Sequence, residues 1–420
     1  MNILVIGSGA REHTITWKLS QSPKVKELYA APGNAGMAKI AHCLDIKDTD
    51  IEALLKAAKE LKIDLTVVGP EAPLAVGVVD RFQAAGMPVF GPSKAAAEIE
   101  WSKVFSKDLI QRHGIPCARS AAFTDYKKAI EHIQKQKPPV VIKADGLAAG
   151  KGVIIAESID EARQALTGMM QGKSFGAAGD RVVIEEYLAG REMSFFVFTD
   201  GKTVIPTVPA CDYKRIFDGN KGPNTGGMGS YTPPPFFNST LGNIIMKTIM
   251  EPTIMALADE GRLYKGTLYG GLMIMPNNVP KVIEFNARLG DPETQVVLPK
   301  LKTDLLDIML AVVDNRLDKI KFEWRDEACV GVAMASGGYP GSYKTGFPIS
   351  GLDDVDKDIL IFHAGTKLGK NGEVLTNGGR ILTVVAMGKD LAEAREKVYK
   401  NITRIHFEGC YYRKDIALFK

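Results

Sequence analysis

The stretch Val282-Ile283-Glu284-Phe285-Asn286-Ala287-Arg288 places three polar side chains, Glu284, Asn286 and Arg288, at alternate positions. On a strand these share one face, while Ile283, Phe285 and Ala287 turn to the core. A carboxylate beside an amide oxygen offers hard ligands to Mg2+, which takes few protein ligands and completes its shell with substrate phosphates. An arginine next along that face suits a carboxylate or an acyl phosphate, gripped bidentately. Such a face is either solvated or a site.

A second constellation is the run PVVIKADGLAAGKG over 139–152. Lys143 ends an apolar strand, and Lys151 stands between Gly150 and Gly152 before the next strand begins. Strand, glycine loop, strand predicts an antiparallel hairpin. Glycines let phosphate oxygens approach the backbone, and the lysines add compact positive charge. The hairpin either closes over a triphosphate or is a plain surface feature. Downstream, Glu185, Glu186, Leu188 and Glu192 sit where a strand runs into a turn. Backbone groups there could read an adenine edge and a carboxylate could take ribose hydroxyls; a solvated strand end is the alternative. The segment 212–229, with Asp212, Lys214, Asn224, Thr225, Gly226 and Gly227, is polar and dense in glycine. A loop of that length is either functional or a surface excursion.

Near the start, GSGAREH over 7–13 begins like a dinucleotide fingerprint, but Glu12 stands where the third glycine belongs. The glycine turn, with Arg11, either aims helix amides at an anion or is merely tight.

The elements that must position these residues follow from periodicity. Ile3 to Ile6 read as a buried strand, and 10–19 has helical spacing. Further strands end in Gly or Pro at 69–70 and 91–92, so residues 1 to about 100 form a small parallel α/β unit with loops at its strand ends, where such sheets bind ligands. Helices are expected over 103–113, 159–171 and 304–315, and antiparallel strands over 193–199, 203–210, 270–275 and 281–285. From about residue 328 short strands alternate with Gly-rich turns, as in a separate small domain.

Composition bounds the reading. The chain has 420 residues, 45% apolar and 24% charged, with a net charge of +4, which gives no support to nucleic-acid binding. Its five cysteines form no CxxC pair, which argues against a disulfide framework or zinc site. No apolar run reaches the ~20 residues of a membrane span. The N-terminus lacks the basic start of a signal peptide, so the cytoplasm is the default compartment.

Taken in order, these segments resemble the ATP-grasp superfamily, and within it the glycinamide ribonucleotide synthetases. GPNTGGMG at 222–229 and RLGDPETQ at 288–295 carry the resemblance, supported by GSGAREH, PGNAG at 32–36, GPEAPL at 69–74 and ADGLAAGKG at 144–152. It spans essentially the whole chain. It implies an α/β and α+β multidomain fold: an N-terminal parallel α/β (pre-ATP-grasp) domain over 1–102, a two-part ATP-grasp core over 103–325 with a lid at about 121–190, and a small C-terminal α+β domain over 326–420. The implied activity is ATP-dependent ligation of glycine to 5-phosphoribosylamine through glycyl phosphate, with Mg2+ or Mn2+, by a monomer that takes small molecules and neither nucleic acid nor membrane.

Position by position, the resemblance assigns Lys103, Lys143, Gly150, Lys151 and Gly152 to ATP phosphates, Glu185, Glu186 and Leu188 to adenine, and Glu192 to ribose. Glu284 and Asn286 become metal ligands. Arg288 and Asp291, with Asp212, Lys214, Asn224, Thr225, Gly226 and Gly227, orient glycine and the sugar. Gly9, Arg11, Gly36 and Glu71 line the phosphoribosylamine pocket, and Lys344 and Arg380 help hold its phosphate. Where many ATP-grasp enzymes carry a further acidic metal ligand, this chain has Gly270-Gly271-Leu272-Met273. A ligase with other substrates would share the nucleotide segments, and 222–229 and 288–295 discriminate against it. A non-catalytic nucleotide module would lack Lys143, Glu284 or Asn286, and all three are present.

Overall fold

A computed structural model describes residues 1–146, 152–172 and 179–419. The chain opens with β1 (Asn2–Gly7), whose residues Ile3 to Ile6 are wholly buried. Burial of each such side chain contributes about 2 kcal/mol, and burial on both faces is why the strand reads as an unbroken apolar run. Helix α1 (Ala10–Leu19) follows, then β2 (Glu27–Pro32), β3 (His42–Cys43), α2 (Ile51–Glu60), β4 (Leu65–Val68), α3 (Glu71–Val76), α4 (Val78–Ala84), β5 (Val89–Phe90) and α5 (Lys94–Trp101). Asp50 caps α2 by accepting from Ala53 N, and Leu54, Leu55 and Ala58 form its buried face. The parallel sheet runs β3-β2-β1-β4-β5. Its order reverses at β1, so the loops after β1 and β4 border the crevice where open α/β sheets take ligands. Gly9, Arg11 and Glu71 lie on those two loops and the helices they open.

Helix α6 (Lys103–Arg112) leads into a sheet of β6 (Ser120–Phe123), β7 (Val140–Ala144), β8 (Val153–Ala156) and β9 (Val182–Glu186) in the order β6-β9-β7-β8. The predicted hairpin is present: β7 and β8 pair antiparallel with Lys143 opposite Val153. Gly150 and Lys151 lie outside the described residues. The helix expected over 159–171 is α-helical over Ile159–Leu166 and continues as a π turn over Thr167–Gln171.

The chain continues through β10 (Arg191–Thr199), β11 (Val204–Pro206), β12 (Cys211–Asp212), β13 (Arg215–Phe217), β14 (Lys221–Asn224), β15 (Gly229–Thr232), β16 (Gly266–Ile274) and β17 (Pro280–Asn286). Strands β11-β10-β16-β17 make one sheet. The strand expected over 203–210 is regular only over Val204–Pro206, beyond which Thr207 N still donates to Phe196 O and Ala210 bridges Ser194 on β10. The strict alternation expected for 282–288 is also broken. Pairing with β16 shifts between Gly271 and Leu272, so Glu284 lies opposite Gly271 and Val282 opposite Leu272. The bulge moves Ile283 off the core face, and it is half-buried while Val282 and Phe285 are buried.

Beyond the helix Leu305–Val313, strands β18 (Ala328–Ala335), β19 (Leu360–His363), β20 (Thr366–Leu368), β21 (Val374–Thr376) and β22 (Arg380–Gly388) precede the helix Leu391–Ile402. The last large sheet runs β12-β15-β18-β22-β19. The tail therefore extends a sheet begun by residues 211–232, so the glycine-dense loop is anchored to the C-terminal region through backbone hydrogen bonds. Among the described residues, no helix is long and apolar enough to cross a membrane.

Candidate active site

A cleft of about 550 Å³ lies where the switch point of the first sheet, β9, β17 and the 212–229 loop meet. At one end stand lysines. Lys103 opens α6 behind a Ser102 cap, and its Nζ donates to Gly146 O at 2.9 Å. Lys143, 4% exposed, has its Nζ 3.1 Å from Glu185 Oε1 and donates to Ile283 O at 3.0 Å. Lys107, one helical turn beyond Lys103, brings its Nζ to 3.2 Å from Glu185 Oε2. Burial pulls the Lys103 and Lys107 ammonium groups below their ordinary range. Gly152 lines the same end.

Mid-cleft, acids gather around one lysine. Lys214 Nζ pairs with the Glu192 carboxylate. Burial works against the charged Lys214, but Glu192 and Asp212 outweigh it and hold its pKa well above the ordinary value. Burial also drives Asp212 well above the carboxylate range and raises Glu293. The Glu293 carboxylate accepts from Ser194 Oγ at 2.7 Å, and Ser194 Oγ lies 3.1 Å from Tyr269 Oη. Burial pushes Glu284 up, yet Lys214, Lys143 and Lys103 together bring it below the usual range, so it is ionised in the cleft. Asn286 Oδ1 accepts from Arg288 Nη2 at 3.3 Å.

Arginine–carboxylate pairs build the far end. Arg288 stands 2.8 Å from Glu100 Oε1 and donates through Nε to Glu71 Oε2 at 3.3 Å. Glu100 also accepts from Ala287 N at 2.7 Å, so it clamps the end of β17 by backbone and side chain together. Burial raises Glu100 to about 7 despite Arg288 beside it. Glu71 goes the other way: burial raises it, but Arg288 and Arg11 bring it to about 2. Arg380 pairs with Asp291 at 3.0 Å and donates to Gly226 O at 2.8 Å, and Gly226 N donates to Tyr339 Oη at 2.9 Å. Thr225 donates through N and Oγ1 to Lys214 O, at 2.7 and 2.9 Å. Gly227 has φ +108°, and a Cβ there would lie 2.3 Å from Pro292 Cδ, so only glycine fits.

The Gly9 turn is occupied from within. Glu12 is 2% exposed; its Oε2 accepts from Gly9 N at 2.7 Å and its Oε1 lies 2.5 Å from Arg11 Nε. A Cβ at Gly7 or Gly69 would strike that carboxylate chain within 2.5 Å. The third glycine of a dinucleotide fingerprint is thus replaced by an acid that takes up the Gly9 amide from within the chain.

Of the residues singled out from sequence, Arg11, Glu71, Lys103, Lys143, Gly152, Glu185, Asp212, Lys214, Asn224, Thr225, Gly226, Glu284, Asn286, Arg288, Asp291 and Arg380 line this one cleft. Others stand outside its wall. Glu186 points off the opposite face of β9 to Arg119 and Lys281, at 2.7 and 3.3 Å. Leu188 is buried beyond the end of β9, and Glu192 meets the site through Lys214. Gly9 packs against Glu12 and Gly227 against Pro292, Gly36 packs between the His13 and His363 rings, and Lys344 is exposed. Sequence reasoning passed over Lys107, Glu100, Glu293 and Tyr339, all of which line the cleft. Lys107 carried a readable signal, since residues four apart share a helix face with Lys103.

Three family models cover most of the chain: the phosphoribosylglycinamide synthetase N domain over residues 1–100, its ATP-grasp (A) domain over 101–294 and its C domain over 329–418. A phosphoribosylamine–glycine ligase of Halalkalibacterium halodurans is 51% identical over 417 residues, 99% of this chain and 96% of that protein. The Escherichia coli K12 protein of that name is 50% identical over 420 residues, 99% and 98% of the two chains. The crystal structure of phosphoribosylamine–glycine ligase from Thermotoga maritima matches with a TM-score of 0.88 at 35% identity, over 99% of this chain and 100% of that one. A biotin carboxylase from Campylobacter jejuni shares the fold, with a TM-score of 0.75 at 16% identity over 99% and 94% of the chains. Matched from end to end by relatives of one kind, the chain belongs to the phosphoribosylglycinamide synthetase family.

Proposed function

We propose that the chain joins glycine to 5-phosphoribosylamine, converting ATP to ADP and phosphate and yielding glycinamide ribonucleotide for purine biosynthesis. One observation carries this reading: a single cleft holds a lysine-rich end suited to a polyphosphate, an ionised carboxylate with an amide oxygen, and an arginine-rich end suited to small anions. Residues 1–102, 103–325 and 326–420 are its three working units, in one cytoplasmic monomer.

A carboxylate is a poor electrophile, so the reaction first transfers the γ-phosphoryl group of ATP to a glycine oxygen, forming glycyl phosphate and ADP. The amine of 5-phosphoribosylamine then attacks the carbonyl carbon; the C–N bond forms, the C–O bond to phosphate breaks, and the amine loses a proton. Positioning and electrostatics do this work, without a protein nucleophile. Lys103 and Lys143 hold the phosphates, while the backbone near Glu185, Glu186 and Leu188 takes the base and Glu192 the ribose. Arg288 and Asp291 orient glycine, and the 212–229 loop closes the far wall through Lys214, Asn224 and Thr225. Arg11 and Glu71 receive the ribosyl group, with Arg380 toward its phosphate, while Gly9, Gly36 and Lys344 stand outside the cleft lining. Glycyl phosphate survives only if water is excluded, and the sequence assigns that role to the 144–152 segment, of which Gly150 and Lys151 lie outside the described residues.

The donor set fits a divalent ion. Glu284 is ionised and Asn286 offers an oxygen, both hard ligands, and among the described residues no group of three or more His, Cys, Asp or Glu forms a complete cage. An ion held by few protein oxygens takes its remaining ligands from nucleotide phosphates, as Mg2+ or Mn2+ does. When bound, it would neutralise charge on the transferring phosphoryl group. The test is isotopic: with glycine labelled by 18O in its carboxylate, the released phosphate carries one labelled oxygen per turnover. Unlabelled phosphate would contradict the acyl phosphate route.

A further inference from the structure

The attacking amine has to lose a proton, and its acceptor has to stand between the lysine-rich and arginine-rich ends, where the two substrates meet. Glu293 stands there, lining the cleft at 3% exposure. Its Oε1 accepts from Ser194 Oγ at 2.7 Å, and Ser194 Oγ lies 3.1 Å from Tyr269 Oη. Ser194 has one O–H, given to Glu293, so the tyrosine hydroxyl is the donor in the second contact. A directed chain of two O–H groups thus ends on one carboxylate oxygen. The other oxygen has room of its own: a Cβ at Gly290, also in the cleft wall, would lie 2.5 Å from Glu293 Oε2. Beyond Ser194, the carboxylate's one hydrogen-bond donor among the described residues is its own backbone N–H.

A purely structural reading makes Glu293 a tie between the 288–295 turn and β10. A neutral acceptor would tie Ser194 equally well, without the cost of burying a carboxylate beside a single neutral side-chain donor. Its neighbours are poorly suited to take a proton in its place. Lys214 is held as an ammonium by Glu192 and Asp212, and Arg288 and Arg380 are permanent cations. Burial drives Asp212 and Tyr269 toward their protonated forms. Burial also raises Glu293 above the ordinary carboxylate range while Ser194 and Lys214 act against it, and a base works best near the operating pH. The geometry points to Glu293 as the general base of the ligation step: its Oε2 takes the proton from the nitrogen of 5-phosphoribosylamine as the C–N bond forms. The N–H bond breaks, an O–H bond forms on Glu293, and the C–O bond to phosphate breaks. The departing phosphate then carries the proton away and restores the carboxylate.

This inference rests on the ligase reading above, and rapid-quench kinetics on the full chain separates the two. In Glu293→Gln the amide oxygen still accepts from Ser194, but the side chain no longer takes a proton. With ATP, glycine and 5-phosphoribosylamine all present, kcat is expected to fall about a hundredfold or more. KM for ATP and for glycine should stay within about threefold. ADP should form on the protein in a burst approaching about one per site, because glycyl phosphate forms and then waits for the amine. A structural lesion would slow both steps and give no burst. A kcat within about threefold of the unmodified protein, or a slow kcat without a burst, overturns the assignment. Should Glu293→Gln fail to fold, Glu293→Asp keeps the carboxylate one methylene short. It is expected to show the burst with kcat lowered about tenfold, and absence of the burst again overturns the assignment. Failure of the unmodified protein to pass 18O from glycine to phosphate would overturn the ligase reading itself.

Discussion

At the lysine-rich end of the cleft, Lys107 and Lys143 share the carboxylate of Glu185, and Lys103 lines the same cleft. At the other end, Arg11, Arg288 and Arg380 are met by Glu12, Glu71, Glu100 and Asp291 at 2.5 to 3.9 Å. The first end holds a surplus of compact, strongly hydrated charge on flexible stems. The second is a lattice of planar guanidinium groups already fixed by carboxylates. In the proposed reaction the first region suits a polyanion that brings the missing charge with it, and the second suits a small anionic substrate.

Substitutions can break this contrast. The largest effect is expected from Glu284→Ala, which removes the carboxylate proposed to hold the divalent ion. Turnover should fall at least about a thousandfold with the fold retained, and near-normal activity by ADP release would remove Glu284 from the site. Arg288→Lys keeps the charge and loses the planar fork. It should raise KM for glycine about tenfold while leaving KM for ATP within about twofold; equal rises in both would erase the distinction between the ends.

Protonation sharpens the comparison. Glu100 is raised from 4.5 to about 7, so between those values the folded chain holds a proton that the unfolded chain has released. The stability contributed by Glu100 is therefore present below about pH 4.5 and lost as pH rises toward 7. Glu71, lowered to about 2, contributes stability above about pH 4.5 that is lost as pH falls toward 2. Denaturant unfolding of the unmodified chain and of Glu100→Gln across pH 4.5 to 7 should show the stability of the unmodified chain falling relative to the variant as pH rises; a pH-independent difference would contradict the assignment. The smallest effect is expected from Tyr339→Phe, which removes one neutral hydrogen bond to Gly226 N. It should raise KM for 5-phosphoribosylamine by about three- to tenfold, and an unchanged KM would make the contact incidental.

Much of this was legible from residue types and spacing, because local patterns determine local elements. Four consecutive apolar residues marked β1, and the glycine run between two apolar stretches marked the β7–β8 hairpin. Strict period-two alternation misplaced Ile283, because a bulge depends on the register against β16 and leaves no trace in 282–288 itself. Glu100 was invisible for a different reason: its partner, Arg288, is 188 positions away, and a helix-borne glutamate is ordinarily solvated. The joining of residues 211–232 to the C-terminal sheet is a long-range pairing that short strands cannot announce.

The most direct measurement is ADP release with Mg-ATP while glycine and freshly prepared 5-phosphoribosylamine are omitted in turn. Release that requires both is predicted, since the two ends of the cleft serve one reaction. Release that ignores 5-phosphoribosylamine and instead follows another amine would contradict the account.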